Sequence, residues 1–178
     1  DSPKAKELLS KLKALENEGY QFEEGEASFE LLVKKSLGAY KPPFLLESFD
    51  IVTVKHGSEL TKVKAKLHIM IGKENFETES YGDGPINALD GALRKAIENS
   101  FPEIKTVKLT DYKVRVLDSA EGTAAMVRVI VESTDGEHTW GTVGVSTNVI
   151  EASWLALSDS MEYKLMRSDL NLDKGVSK

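Results

Sequence analysis

Residues 79–101 of the chain read ESYGDGPINALDGALRKAIENSF, and the rest of the sequence is arranged around this stretch. The turn Gly82-Asp83-Gly84-Pro85 leads directly into a segment whose apolar residues recur at helical spacing. Proline suits the first position of a helix because its missing N–H would be unpaired there. The free N–H groups that follow could hold a carboxylate or a phosphate. The alternative is a plain connection between a strand and a helix.

The pattern of this stretch occurs twice in the chain. Val63 falls on Val127, and Ala88 falls on Ala152, each 64 positions later. Each half reads as three strands, with apolar residues alternating at every second position, followed by an amphipathic helix. The second helix is predicted from about Val149 to Met166. Three strands and one helix bury too little apolar surface alone, so we expect the halves to pack as a pseudo-twofold pair.

Two short helices are predicted before the first half. The first begins at Ser2-Pro3 and ends at Gly19, and the second runs from about Glu26 to Leu37. Lys41-Pro42-Pro43 interrupts helical structure. The sequence therefore predicts an α+β fold of two βββα units, preceded by two linker helices. The expected divisions are a helical linker subdomain at 1–41, a regulatory domain at 42–166 with halves at 44–101 and 104–166, and a flexible polar tail at 167–178.

Composition excludes several classes of function. The net charge of −6, without a dense basic face, argues against nucleic-acid binding. No apolar run approaches the roughly 20 residues of a membrane helix, and the charged start shows no signal peptide, so we expect a cytoplasmic protein. The absence of cysteine excludes disulfides and thiol nucleophiles. The three histidines lack the spacing of a metal site. The carboxylates of Glu23, Glu24 and Glu26 are expected to stabilise the start of a helix. These patterns favour a ligand-binding or assembly module over an enzyme.

Two motifs carry a resemblance to a known family. YGDGPINALDGALRKAI in the first half and TWGTVGVSTNVIEASWLALSDSMEYKL in the second resemble the C-terminal regulatory domain of 2-isopropylmalate synthases and citramalate synthases. The run LENEGYQFEEGEASFELL is similar to the linker of the citramalate synthase branch. The resemblance covers about residues 12–166 and implies a homodimer that binds a branched-chain amino acid as feedback inhibitor.

The resemblance also implies a longer parent enzyme. That enzyme would be an acyltransferase of isoleucine biosynthesis, condensing acetyl-CoA with pyruvate in a TIM barrel that holds a divalent metal through an aspartate and a His-x-His pair. This chain shows no such residues, so we expect it to carry no catalytic group and no cofactor. Its expected partners are the amino-acid effector, a second copy and the barrel of the same enzyme.

We expect the effector site beside the glycine turn. N–H groups after Gly84 would bind the carboxylate, and carbonyls of the turn would accept from the ammonium. The resemblance supports four residues of this site, which are Gly82, Gly84, Pro85 and Ala88. Geometry suggests five more that could equally be core residues: Phe76, Ile97, Ile104, Val114 and Gly141.

Several alternatives stay open at this point. The citramalate branch implies isoleucine as effector, whereas the isopropylmalate branch implies leucine, and the sequence does not separate two side chains of the same size. The domain could also be a purely structural dimerisation module that has lost sensing. An independent small enzyme would need a cluster of titrating groups in a pocket, which the sequence does not indicate.

Overall fold

The computed structural model describes residues 2–117, 122 and 124–175, with side chains up to residue 168. It contains four α-helices and a 3₁₀ helix, Pro102–Thr106, in the described part of the chain. The α-helices are α1 (Pro3–Glu18), α2 (Glu26–Ser36), α3 (Pro85–Ile97) and α4 (Val149–Gly175). The strands are β1 (Leu45–Val54), β2 (Lys62–Ile71), β3 (Glu74–Gly82), β4 (Lys108–Val116), β5 (Val127–Thr134) and β6 (Thr139–Ser146). The predicted α+β class, with two βββα units after two helices, is confirmed.

The two sheets repeat each other in register as well as in order. Both are antiparallel and three-stranded, in the orders β1-β2-β3 and β4-β5-β6. Val63 pairs with Gly82, and Val127 pairs with Ser146, so the central and last strands of the two sheets meet in equivalent registers. The first strand of each sheet carries a bulge, between Leu46 and Ser48 and again at the equivalent place in β4.

The described residues form two compact units. The first-half unit is Pro42–Lys105, and the second-half unit combines Asp1–Lys41 with Thr106–Lys178. In the first-half unit, α3 packs on β2 and β3 through apolar side chains with no exposed surface, among them Leu67, Ile69, Leu89 and Leu93. The predicted pseudo-twofold relation between the halves stays a prediction.

The second-half unit has helices on two sides of its sheet. α4 packs on β5 and β6, where Val129, Val131 and Leu157 are fully buried. α2 packs on β6 and α4 and buries Ala27 and Leu31. Residues 1–41, suggested by the sequence as a separate linker subdomain, therefore share a unit with the second half. α1 contributes no buried residue to this unit.

The ends of the N-terminal helices follow local capping chemistry. Ser2 caps α1, since its Oγ accepts from the N–H of Ala5 at 3.3 Å. Gly19 ends α1 in the left-handed region with φ 106°, which glycine adopts without a Cβ clash.

The predicted end of α4 was wrong. The helix continues nine residues beyond Met166, to Gly175. No glycine or proline interrupts the sequence between these two positions, so no backbone signal ends the helix earlier. The alternation of Val127, Val129 and Val131 predicts a fifth strand from Thr123 to Glu132, but Thr123 lies outside the described residues. Residues 176–178, the end of the predicted flexible tail, also lie outside them.

Candidate functional site

The turn before α3 leaves backbone donors open. Gly84 is the N-cap residue, with extended backbone at φ −151° and ψ 171°, and no side chain caps this end of the helix. The N–H groups of Gly84, Ile86 and Asn87 have no hydrogen-bond partner among the described residues. A Cβ atom on Gly84 would meet no atom within 4 Å. The start of α3 therefore presents free amide donors at the positive end of a helix dipole.

The neighbouring Gly82 is needed for close packing. A Cβ atom there would lie 2.5 Å from the amide nitrogen of Ala88 and 2.6 Å from Oδ1 of Asn87. Asn87 Oδ1 also accepts from the N–H of Asp83 at 3.3 Å. These contacts hold the turn against the first turn of α3, and only a residue without a side chain fits at position 82.

The equivalent turn in the second half is closed by a side chain. Asn148 stands 64 positions after Gly84, and its Oδ1 accepts from the N–H of Ile150 at 2.9 Å and of Glu151 at 3.4 Å. Ser146 Oγ accepts from the N–H of Asn148 at 3.1 Å. Asparagine is a favoured N-cap because its side chain satisfies amides that otherwise lack partners. The two halves thus differ at this position, closed in one and open in the other.

The remaining predicted residues of the first-half unit are mostly core. Ala88 and Ile97 lie on the inner face of α3, and Ile104 lies in the 3₁₀ helix; each has no exposed surface. Phe76 is partly buried on β3 opposite Ile69. Core packing accounts for the burial of these residues, and their predicted part in a ligand pocket stays a prediction.

Val114 and Gly141 belong to the second-half unit. Val114 lies on β4 opposite Val129 and is 47% exposed. Gly141 lies on β6, where its N–H donates to Oε1 of Glu26 at 2.9 Å. A Cβ atom on Gly141 would lie 2.1 Å from the carbonyl oxygen of Glu24, so the chain before α2 crosses directly over it. Because these two residues and the α3 turn belong to different units, the predicted crevice shared by the two halves stays a prediction.

Sequence reasoning missed a charged cleft in the second-half unit. This cleft of about 570 Å³ is lined by Glu23, Glu24, Lys113, Val114, Arg115 and Arg128, among others. Lys113 Nζ lies 3.3 Å from Asp111 Oδ2 and 3.7 Å from Glu24 Oε1, and the bond to Asp111, followed by the charge of Glu24, raises the pKa of Lys113. Arg128 is 6% exposed, and its Nε donates to the carbonyl of Gly19 at 2.7 Å. One sequence signal could have indicated this cleft: Arg128 lies two positions before the apolar Ile130, so a charged residue shares a strand face with an apolar one.

Side chains of α2 attach this helix to the second half. Ser28 Oγ accepts from the N–H of Val143 at 3.0 Å, and Glu26 accepts from Gly141, so α2 covers the free edge of β6. Lys35 Nζ lies 2.8 Å from Glu162 Oε2 on α4. Burial raises the pKa of Glu162, and the Lys35 ammonium opposes that rise. Glu26 was expected only to stabilise the start of a helix, but it also joins α2 to the sheet through its bond with Gly141.

The structure offers no metal centre in its described part. No group of three histidine or carboxylate side chains that could hold a metal ion occurs among these residues. Among the same residues, no helix combines the length and apolar character that crossing a membrane requires.

Comparison with known proteins identifies the family to which this chain belongs. Residues 24–165 match the LeuA allosteric (dimerisation) domain. The chain is 48% identical over 169 residues to the (R)-citramalate synthase of Aquifex aeolicus and 48% identical over 168 residues to that of Geobacter sulfurreducens, covering 94% of this chain and 32% of each relative. It is 32% identical over 96 residues to the 2-isopropylmalate synthase of Aquifex aeolicus, covering 54% of this chain and 17% of that protein.

These matches confirm the resemblance drawn from the two motifs and favour its citramalate synthase branch. The chain spans about a third of the length of the curated citramalate synthases that it matches. The match to the family includes α2, both sheets, α3 and most of α4. The chain therefore belongs to the LeuA allosteric (dimerisation) domain family.

Proposed function

We propose that this chain is the feedback-regulatory domain of a citramalate synthase-like enzyme, that it binds isoleucine, and that it forms a homodimer. The observation that carries the binding proposal is the uncapped start of α3, where three amide donors lack partners among the described residues. The equivalent amides of α4 are satisfied by Asn148. A carboxylate bound by the α3 amides would take the place that the Asn148 side chain fills in the second half.

The rest of the parent enzyme is part of the proposal. The citramalate synthase relatives, of which this chain covers 32%, support a parent that condenses acetyl-CoA with pyruvate, in a barrel that holds a divalent metal. Effector binding would inhibit that reaction only by favouring one arrangement of linker and dimer over another. The attachment of α2 to β6 and α4 supports the linker as the element that transmits the change.

The binding proposal is tested by calorimetry with isoleucine, leucine and valine on the 178-residue chain and two variants. Gly84→Asn supplies the missing cap, and the space around position 84 accepts a side chain. We expect isoleucine affinity to fall about tenfold or more, because the new side chain competes for charge-assisted hydrogen bonds worth about 1.5–3 kcal/mol. The matched variant Asn148→Gly should lose only a few tenths of a kcal/mol of stability and keep its affinity.

Three outcomes would count against the proposal or a part of it. No heat from any of the three amino acids at millimolar concentration would leave a purely structural dimerisation module, which forms a stable dimer without a ligand response. Unchanged isoleucine affinity in Gly84→Asn would remove the site from the start of α3. Tighter binding of leucine than of isoleucine would instead indicate a 2-isopropylmalate synthase parent, the alternative that one relative at 32% identity supports.

A further inference from the structure

Two arginines lie side by side in the charged cleft of the second-half unit. Arg115 on β4 is the register partner of Arg128 on β5, and both line the cleft. Side chains at directly opposed positions of antiparallel strands have Cβ atoms about 4.5–5.5 Å apart, and like charges in this arrangement are destabilising. These two residues, the arginine pair, therefore concentrate positive charge at one place in the cleft.

Most of the hydrogen-bonding capacity of Arg128 is unused. The residue is 6% exposed, and its Nε donates to the carbonyl oxygen of Gly19 at 2.7 Å. A guanidinium group carries five N–H donors, and the other N–H groups of Arg128 have no partner among the described residues. Burial lowers the pKa of Arg128, the charge of Arg115 lowers it further, and Glu23 and Glu24 oppose this effect. A buried cation with free donors is stabilised when an anion binds to it.

The carboxylates that line the cleft do not neutralise the arginine pair. Within the described part of the chain, neither Arg115 nor Arg128 has an ion pair within 4 Å. Glu24 Oε1 lies 3.7 Å from Nζ of Lys113 instead. Glu23 lines the cleft without an ion pair in the same part of the chain, so its charge opposes the binding of an anion. The arginine pair thus supplies the cations that are available to a ligand.

We propose that the arginine pair binds a phosphate group, either as the free ion or as part of a phosphate ester. The planar guanidinium group forms two parallel charge-assisted bonds to phosphate oxygens, and a phosphate between two arginines can accept from both. The cleft of about 570 Å³ has the size of a small-molecule site, and Ile130 in its lining offers apolar contact to an organic group. The ligand and the site both differ from the isoleucine site proposed at the start of α3.

Phosphate binding would also stabilise the chain between α1 and α2. Residues 21, 23 and 24 of this segment line the cleft, and Arg128 binds the carbonyl of Gly19 at the end of α1. A phosphate that holds the Arg128 guanidinium therefore also holds its bond to Gly19. We expect hydrogen exchange of the Gly19 and Tyr20 amides to slow when phosphate is added.

The test is calorimetry with inorganic phosphate and with adenosine monophosphate, at constant ionic strength, on the 178-residue chain and matched variants. Arg115→Gln should lower the affinity for both ligands about tenfold or more, because it removes charged hydrogen bonds from an exposed residue without disturbing the core. Lys108→Gln removes a positive charge from the same strand outside the cleft lining and should leave the affinity unchanged. Glu23→Gln should raise the affinity, because it removes a repulsive charge.

The outcomes separate the two sources of phosphate and the two proposed sites. Tighter binding of adenosine monophosphate would support a phosphate ester as the ligand, and tighter binding of inorganic phosphate would support the free ion. No heat from either ligand at millimolar concentration, or equal affinities in Arg115→Gln and Lys108→Gln, would overturn the inference. Phosphate binding that is lost in Gly84→Asn but kept in Arg115→Gln would also overturn it, since the anion would then lie at the start of α3. Loss of isoleucine binding in Gly84→Asn with phosphate binding unchanged would support both sites.

Discussion

At the scale of single residues, two of the glycines predicted for the effector site serve different purposes. Gly84 has open space where a Cβ atom would stand, whereas Gly141 has the carbonyl oxygen of Glu24 only 2.1 Å from that position. Gly84 is thus suited to leaving amides accessible, and Gly141 is suited to the close passage of another chain segment. A sequence does not distinguish these two uses, because the difference lies in residues far away along the chain.

Gly141→Ala should therefore destabilise the second-half unit. The added methyl group would push on backbone atoms of residue 24, which cannot move aside as a flexible side chain does. We expect a loss of about 1–3 kcal/mol in the free energy of unfolding. Urea denaturation followed by circular dichroism measures this, with Gly84→Ala as the matched control that should change stability by less than 1 kcal/mol. Equal stabilities of the two variants would contradict the close approach at Gly141.

Asp159 should make stability depend on pH in an uncommon direction. Burial raises the pKa of this carboxyl to about 6 from 3.8, against the opposing effects of Lys35 and Ser28, while Glu162 adds to the rise. The unfolded chain then loses its proton at lower pH than the folded chain, so this group disfavours folding as pH rises from about 4 to above 6. The cost is about 3 kcal/mol at most. Asp159→Asn should gain stability relative to the unmodified chain between pH 4.5 and pH 8.

Asp135 provides a control of opposite sign for that measurement. Burial opposes its ionisation, but hydrogen bonds from Lys164 and from the amides of His138 and Glu137 outweigh burial and hold its pKa below the usual range. Its contribution to stability is present at neutral pH and is lost in acid. Asp135→Asn should thus weaken folding most at pH 8. If both variants shifted stability in the same direction, the pKa of Asp159 would not be raised.

At the scale of elements, strands and helices were predictable where apolar residues recur at a regular spacing along the element. β2 shows five apolar residues at alternating positions from Val63 to Ile71, and the strand spans Lys62–Ile71. The end of α4 was not predictable from polarity, because a polar segment without glycine or proline can continue a helix. The attachment of α2 to β6 was not predictable from local sequence patterns either, because Ser28 and its partner Val143 are 115 residues apart.

Removal of residues 1–41 tests that attachment. α2 satisfies backbone groups on the free edge of β6, so its loss should expose Gly141 and Val143 to water and raise their hydrogen-exchange rates. The amides of β2 in the first-half unit should keep their protection, which makes β2 the internal control. Unchanged exchange in β6 would show that α2 does not protect that edge in solution.

At the scale of the whole molecule, the duplication was the most informative feature of the sequence. The shift of 64 positions that aligned Val63 with Val127 also relates the strand registers of the two sheets. It predicted the class, the order of elements and both turns before the helices. It did not predict the charged cleft, because this cleft lies in one unit only and is lined in part by residues 21–24, which precede the duplicated halves.

The discontinuous second-half unit has a consequence for synthesis of the chain. Ser28 leaves the ribosome 115 residues before its partner Val143. At about 5–20 residues per second, α2 waits roughly 6 to 23 s for the strand edge that it covers. Throughout that interval the apolar face with Ala27 and Leu31 has no sheet to pack on. The nascent polypeptide therefore leaves that apolar face uncovered until translation has passed β6, and slower translation between the two halves would lengthen that exposure.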